Sequence, residues 1–330
     1  MKKLALLLIV LLGSVSLFGC NTSEFKVDGE FTAFLPSVSN NKPQVTMVTV
    51  TIEDGEIVDF DIDVRQGTRT QNVDTLVYSW AWNTQTKKEL GYAYHMFYGT
   101  YDDTDTTPTE DEYIAWLDAN DKLEWFEQAE VIEAYWLANG FDSITLVEGE
   151  FPTEVGVTIS DSGYVELAAA AVELAKLGKF QSIVCSGSDL YSASMIVSAK
   201  GEVTELKLDT LQATKDTAAG TFVWKDETKQ ELGDDYGMKG TGAKYNFAAG
   251  AWTAHATDKT TLEWYEQANL ITAYILENGW DEDLAPIADR GVSLDGTTLL
   301  DACAGVTIKT ATYFQVLEAL FGAVAEGEIK

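Results

Sequence analysis

The chain has 330 residues, 46% hydrophobic and 23% charged, which is enough apolar material for one or two packed cores and excludes a disordered tail. Fifty-three Asp and Glu stand against 22 Lys and Arg, so the formal charge of -31 repels phosphate backbones and anionic headgroups and argues against nucleic acid as a partner. Three cysteines and two histidines are too few for a zinc ribbon, a haem-attachment motif, an iron-sulfur cluster or a disulfide scaffold, and no metal site is expected.

Met1-Lys2-Lys3 precedes the apolar run Leu4 to Leu12 and a small-residue stretch to Gly19, the three parts of a secretory leader. The uninterrupted run is well short of the ~18 residues of a spanning helix. It closes on Leu17-Phe18-Gly19-Cys20, which resembles a bacterial lipobox, where the cysteine thiol takes diacylglycerol before cleavage. That resemblance implies that residues 1–20 are a lipoprotein leader cleaved just before Cys20, that diacylglyceryl Cys20 becomes the mature N-terminus and anchors the chain in the lipid bilayer at the outer face of the cell membrane, and that residues 21–26 are a tether. Losing Lys2 and Lys3 makes the remainder more acidic still, so acyl chains and not charge would hold it there.

The rest of the chain is one unit written twice. Leu123-Glu-Trp-Phe-Glu-Gln-Ala129 recurs as Leu262-Glu-Trp-Tyr-Glu-Gln-Ala268, running on to Asn139-Gly140 and Asn278-Gly279. Upstream, Thr86-Lys-Lys-Glu-Leu-Gly-Tyr-Ala-Tyr-His-Met96 pairs with Thr228-Lys-Gln-Glu-Leu-Gly-Asp-Asp-Tyr-Gly-Met238, and downstream Gly156-Val-Thr-Ile159 pairs with Gly305-Val-Thr-Ile308. The period is far longer than the ~20–50 residues of solenoid repeats, so two domains in line are expected, 27–178 and 179–330. In the first, Val45 to Ile52 and Ile57 to Val64 alternate around Asp54-Gly55, a hairpin. Leu190 to Val197 and Glu202 to Leu208 do the same around Lys200-Gly201. Apolar residues at Trp125, Ala129, Ile132 and Trp136, and at Trp264, Ala268, Ile271 and Ile275, predict a helix ending at Asn-Gly in each copy. Final helices are expected over 162–176 and 311–325. Strands followed by helices, without a βαβ rhythm, predict an α+β fold of antiparallel hairpins against helices.

His95 and His255 fall at non-equivalent places with no nucleophile motif beside them, and no catalytic residue is assigned. Glu124 with Glu127 and Glu263 with Glu266 lie three apart at a helix start, where acids are favoured electrostatically. Cys185 and Cys303 belong to the second copy alone, either as a disulfide or as small buried residues. Thr158 and Thr307 each shortly precede a helix, and helix capping is their ordinary role.

Asp301-Ala-Cys-Ala-Gly-Val-Thr307 resembles the Asp-x-x-(Ser/Thr/Ala)-Gly-Ala-Thr motif of the FMN-binding domain family, in which a flavin transferase esterifies the FMN phosphate to the threonine. Copy one reads Pro152-Thr-Glu-Val-Gly-Val-Thr158-Ile-Ser, with Pro152 where the motif has Asp; Val157 and Val306 replace its Ala. The Thr-Lys-x-Glu-Leu-Gly and Glu-Trp-(Phe/Tyr)-Glu-Gln-Ala blocks also look like this family. Tandem copies behind a lipobox are similar to the extracellular electron-transfer lipoproteins of Gram-positive bacteria, the PplA type. The resemblance implies FMN in each copy, esterified to Thr158, Thr307 or both, with Asp301, Gly305 and Gly156 in the attachment turns and Tyr94, Met96, Tyr236 and Met238 in the pockets. It implies an electron carrier between a membrane NADH dehydrogenase and quinone system and extracellular acceptors. The rival expectation is a non-redox surface lipoprotein whose degenerate domains bind a ligand or partner.

Overall fold

The computed structural model describes residues 24–97, 100–101, 109–241, 245–246, 251–252, 260–281, 283–287, 290–293 and 300–330. Cys20 and His255 lie outside the described residues. The first copy opens with a four-stranded antiparallel meander, β1 (Gly29–Ser39), β2 (Lys42–Glu53), β3 (Glu56–Gln71) and β4 (Tyr78–Trp82), each strand beside the next. Its first two turns are Asn40-Asn41 and Asp54-Gly55, all four residues at positive φ, the backbone that closes a two-residue hairpin with the right twist. Along β2 the side chains of Val48, Val50 and Ile52 are buried and alternate with half-buried threonines, so one face of the sheet is committed to a core. The second copy repeats the order with β5 (Lys179–Ser186), β6 (Asp189–Val197), β7 (Val203–Asp216) and β8 (Thr221–Trp224). A β-bulge sits at the same place in both central hairpins, after Thr51 and after Ile196.

Helices follow each sheet. In copy one these are α1 (Lys87–Leu90) with a 3-10 turn to Tyr94, α2 (Glu110–Ala119), α3 (Trp125–Asn139) and α4 (Tyr164–Leu177). In copy two they are α5 (Lys229–Leu232) with a 3-10 turn to Tyr236, α6 (Trp264–Asn278) and α7 (Ala311–Gly322); α2 has no counterpart among the described residues. Two short ribbons, Tyr245–Asn246 with Ala251–Trp252 and Ala285–Ile287 with Arg290–Ser293, complete the second copy. The architecture is α+β: α4 lies across β1 and β2 with α3 against β3, and α7 lies across β5 and β6 with α6 against β7. The periodic residues of α3 and α6 are all buried, and Gly140 and Gly279 end these helices at positive φ. Gly178 turns α4 into β5 at φ +66, and a β-carbon there would lie 2.5 Å from the Val197 carbonyl oxygen.

The two copies pack against one another. Their buried side chains form one continuous cluster, from Val27 to Leu320. Counting from the bulges, Phe31 in β1 and Phe180 in β5 are equivalent residues, and their rings stack on each other at 4.1 Å. Trp82 stacks on its equivalent Trp224 at 6.2 Å, and Trp80 meets its equivalent Phe222 at 6.1 Å. Equivalent residues touching one another define an approximate two-fold axis between the copies. Polar bonds across it follow: Trp224 Nε1 donates to the Ser37 carbonyl at 3.0 Å, and Arg69 to that of Gly220 at 2.9 Å. The C-terminal segment returns to the first strand, where Glu30 N donates to the Ala323 carbonyl at 2.8 Å.

Candidate functional site

The repeated blocks, distant in sequence, meet in each copy around one buried amide side chain. Gln128, second turn of α3, accepts at Oε1 from Thr158 N at 2.7 Å, Thr158 Oγ1 at 3.1 Å and Ile159 N at 3.0 Å. Its Nε2 donates to the Leu123 carbonyl at 2.8 Å and to Met96 Sδ at 3.6 Å. Gln267 repeats this, accepting from Thr307 N at 2.6 Å and Ile308 N at 3.1 Å and donating to the Leu262 carbonyl and Met238 Sδ. Three polar groups of the turn are thus satisfied by one acceptor that is itself sealed from water at 1% and 0% exposure.

The acids at the start of α3 and α6 are structural. Glu124 and Glu263 are N-caps whose backbone N–H donates to the third helical residue, Glu127 or Glu266, at 2.7 Å. Each also clamps the methionine loop: Met96 N donates to Glu124 at 3.0 Å and Met238 N to Glu263 at 2.7 Å. In copy one Tyr113 of α2 adds a hydroxyl donor to Glu124.

Tyr94 and Tyr236 stand beside a caged ammonium. Lys87 Nζ lies 5.0 Å from the Tyr94 ring and 4.9 Å from that of Trp125, and Lys229 Nζ lies 5.2 Å from Tyr236 and 5.4 Å from Trp264. Burial pulls Lys87 down to about 8 and lowers Lys229 as well, against the carboxylates of Asp63 and Asp189 respectively. Copy one has a further ionic cluster: Lys88 Nζ is 2.5 Å from Asp61 and 2.8 Å from Glu133, which also accepts from Ile62 N at 2.6 Å. Burial pushes Glu133 up to about 7.

The copies part at the threonine. Thr158 is exposed, and beside it Gly156, at φ +84, has no atom within 4 Å of where a β-carbon would sit. Thr307 is 5% exposed between buried Val306 and Ile308, and its hydroxyl lies 3.3 Å from Gln267 Oε1 and 3.5 Å from Thr260 Oγ1. A β-carbon on Gly305 would in turn lie 3.1 Å from the Leu262 side chain. Neither threonine caps the helix that follows, since the N-caps are Gly163 and Thr310. Pro152 and exposed Asp301 open the same turn: Val155 N bonds the Pro152 carbonyl at 3.0 Å and Ala304 N that of Asp301 at 3.1 Å. Proline is accommodated because the turn uses only this carbonyl.

Comparison with known proteins adds no likeness. No family model, curated protein or solved structure matches this chain.

The structure therefore gathers Met96, Thr158 and Gly156 around Gln128, and Met238, Thr307 and Gly305 around Gln267. Tyr94 and Tyr236 belong to the adjoining lysine cages. Cys185, on β5, and Cys303, in the 3-10 turn before Gly305, are separate free thiols, so the disulfide alternative is corrected. His95 ends the 3-10 turn, its ring edge-on to Tyr113 at 4.9 Å. Gln128, Gln267, Lys87 and Lys229 escaped the reading of the sequence. Their signal was identity between copies within the repeated blocks.

Proposed function

We propose that the chain is an extracytoplasmic flavoprotein, held at the outer face of the membrane through lipidated Cys20, that carries FMN on Thr158 and relays electrons from a membrane NADH dehydrogenase and quinone system to extracellular acceptors. The observation that carries the reading is that Thr158 is an exposed residue on a turn anchored at both sides by Gln128, its hydroxyl held among the described residues only by the part-buried bond to Gln128 Oε1. A flavin transferase needs such a hydroxyl, and the phosphoester left on it keeps its charge in water. At Thr307 the same ester would place an anion among Val306, Ile308 and Leu262, at a desolvation cost of several kcal/mol. The expectation of one flavin in each copy narrows to one in the first, and the second copy keeps the cradle as architecture.

A flavin, when bound, supplies one- and two-electron transfer, and the protein supplies its position. Gln128 fixes the backbone on both sides of the acceptor hydroxyl, and Glu124 holds the Met96 loop against the same amide. The test is intact mass and visible absorbance of the mature protein made beside a flavin transferase. One added FMN residue is expected, lost in Thr158→Ala and retained in Thr307→Ala. A colourless, unmodified wild type would refute the reading in favour of a non-redox binding lipoprotein, and loss in Thr307→Ala alone would move the attachment to copy two.

A further inference from the structure

The approximate two-fold builds the same cleft twice, where the first strand of one copy lies over the sheet of the other. In one cleft Ile183 and Cys185 of β5 face Met47 and Arg65 on copy one; in the other Phe34 and Pro36 of β1 face Ser192 and Leu211, the equivalents of Met47 and Arg65 by strand register. The first is stoppered. Arg65 turns its guanidinium onto the carbonyls of Asn83 at 2.8 Å and Thr84 at 2.6 Å, and 230 Å³ remains beside it. The second has Ser192 and Leu211 in place of that methionine and arginine and stands open at 580 Å³, within the usual size range of small-molecule sites.

We infer that this open cleft binds a neutral, flat ring system bearing carbonyl acceptors. Phe34, Pro36, Leu190 and Leu211 supply apolar walls suited to a ring. On the sheet floor Ser192 and Ser194 stand two residues apart on the same side of β6, and their hydroxyls make no hydrogen bond with any described residue, leaving two donors for acceptors on a ligand edge. Charge excludes an anion: Asp209 and Glu231 line the cleft, and its one cation, Lys207, is paired with Glu205 at 3.1 Å. Both carboxylates are already engaged, Asp209 by Thr210 N and Gln230 N and Glu231 by Thr228 N, so neither calls for a cationic ligand. The site is independent of Thr158 and of any flavin there.

The duplicate cleft supplies the experiment. Calorimetric titration of the mature protein with 2-methyl-1,4-naphthoquinone is expected to show one equivalent bound. The double variant Ser192→Met/Leu211→Arg, which installs the stopper of the twin cleft, should weaken binding at least tenfold. The reciprocal Met47→Ser/Arg65→Leu should add a second equivalent, while Thr158→Ala should bind as wild type does. Circular dichroism checks each fold, and Ser192→Met alone decides on the same tenfold criterion if the double variant unfolds. No binding by wild type, or undiminished binding once the cleft is filled, would overturn the inference.

Discussion

Replacing the buried glutamine by methionine keeps its length and removes the one acceptor that serves the threonine turn, and the two copies should respond unequally. In Gln267→Met the N–H groups of Thr307 and Ile308 are both stranded in a buried environment. At about 1–3 kcal/mol for each buried unsatisfied group, the loss is roughly 2–6 kcal/mol. In Gln128→Met the exposed Thr158 can turn to water, and only Ile159 N is stranded, so the loss is about 1–3 kcal/mol. The donor lost to the carbonyls of Leu123 and Leu262 is common to both and cancels in the comparison, while the further bond from Gln267 Nε2 to Thr260 Oγ1 is lost in Gln267→Met alone and widens the difference in the same direction. Urea unfolding of the two variants and wild type, read as the change in midpoint at unchanged slope, measures the difference directly. Equal losses, or a larger loss in Gln128→Met, would refute the claim that Thr158 is the open turn and Thr307 the closed one.

Three other outcomes are expected. Because the copies share one core, Phe31→Ala should remove about 3–5 kcal/mol and leave a single unfolding transition; two separated transitions would show that the copies fold independently. Glu133 sits at about 7 in the folded protein, above its ordinary 4.5, so the folded state holds the extra proton and this group makes stability fall as pH rises from about 4.5 to 7. Glu133→Gln should flatten that slope in a series of urea midpoints, and an unchanged slope would count against the burial of that carboxyl. Burial pushes the Cys185 thiol up to about 12 and that of Cys303 to about 11, so iodoacetamide at pH 8 should label neither until the protein is unfolded. Rapid labelling of native protein, read by mass, would contradict this.

The central hairpins and the long helices were legible because local chemistry alone fixes them. Asp54-Gly55 closes a turn whatever surrounds it, and Trp125, Ala129, Ile132 and Trp136 recur at helical spacing. The opening strands β1 and β5 were not read. Pro36 interrupts β1, Gln181 and Ser182 blur the alternation of β5, and both strands face the other copy, which no local period records. Their consequence, a buried core continuous across the two copies, was equally hidden. The repeat did locate the attachment turns and the methionines that converge on them. It could not separate Thr158 from Thr307, since identical residues become open or closed through Thr260 and Leu262, which approach only in the folded chain.

The Phe31 and Phe180 rings, stacked on the axis between equivalent halves, give the molecule the geometry of a homodimer whose subunits have been spliced end to end at Gly178. A symmetric dimer must change both of its sites whenever it changes one. Splicing lifts that constraint and makes assembly independent of protein concentration. One half here carries an exposed threonine and a plugged cleft while the other carries a buried threonine and an open cleft, a division that a symmetric dimer of identical subunits could not hold.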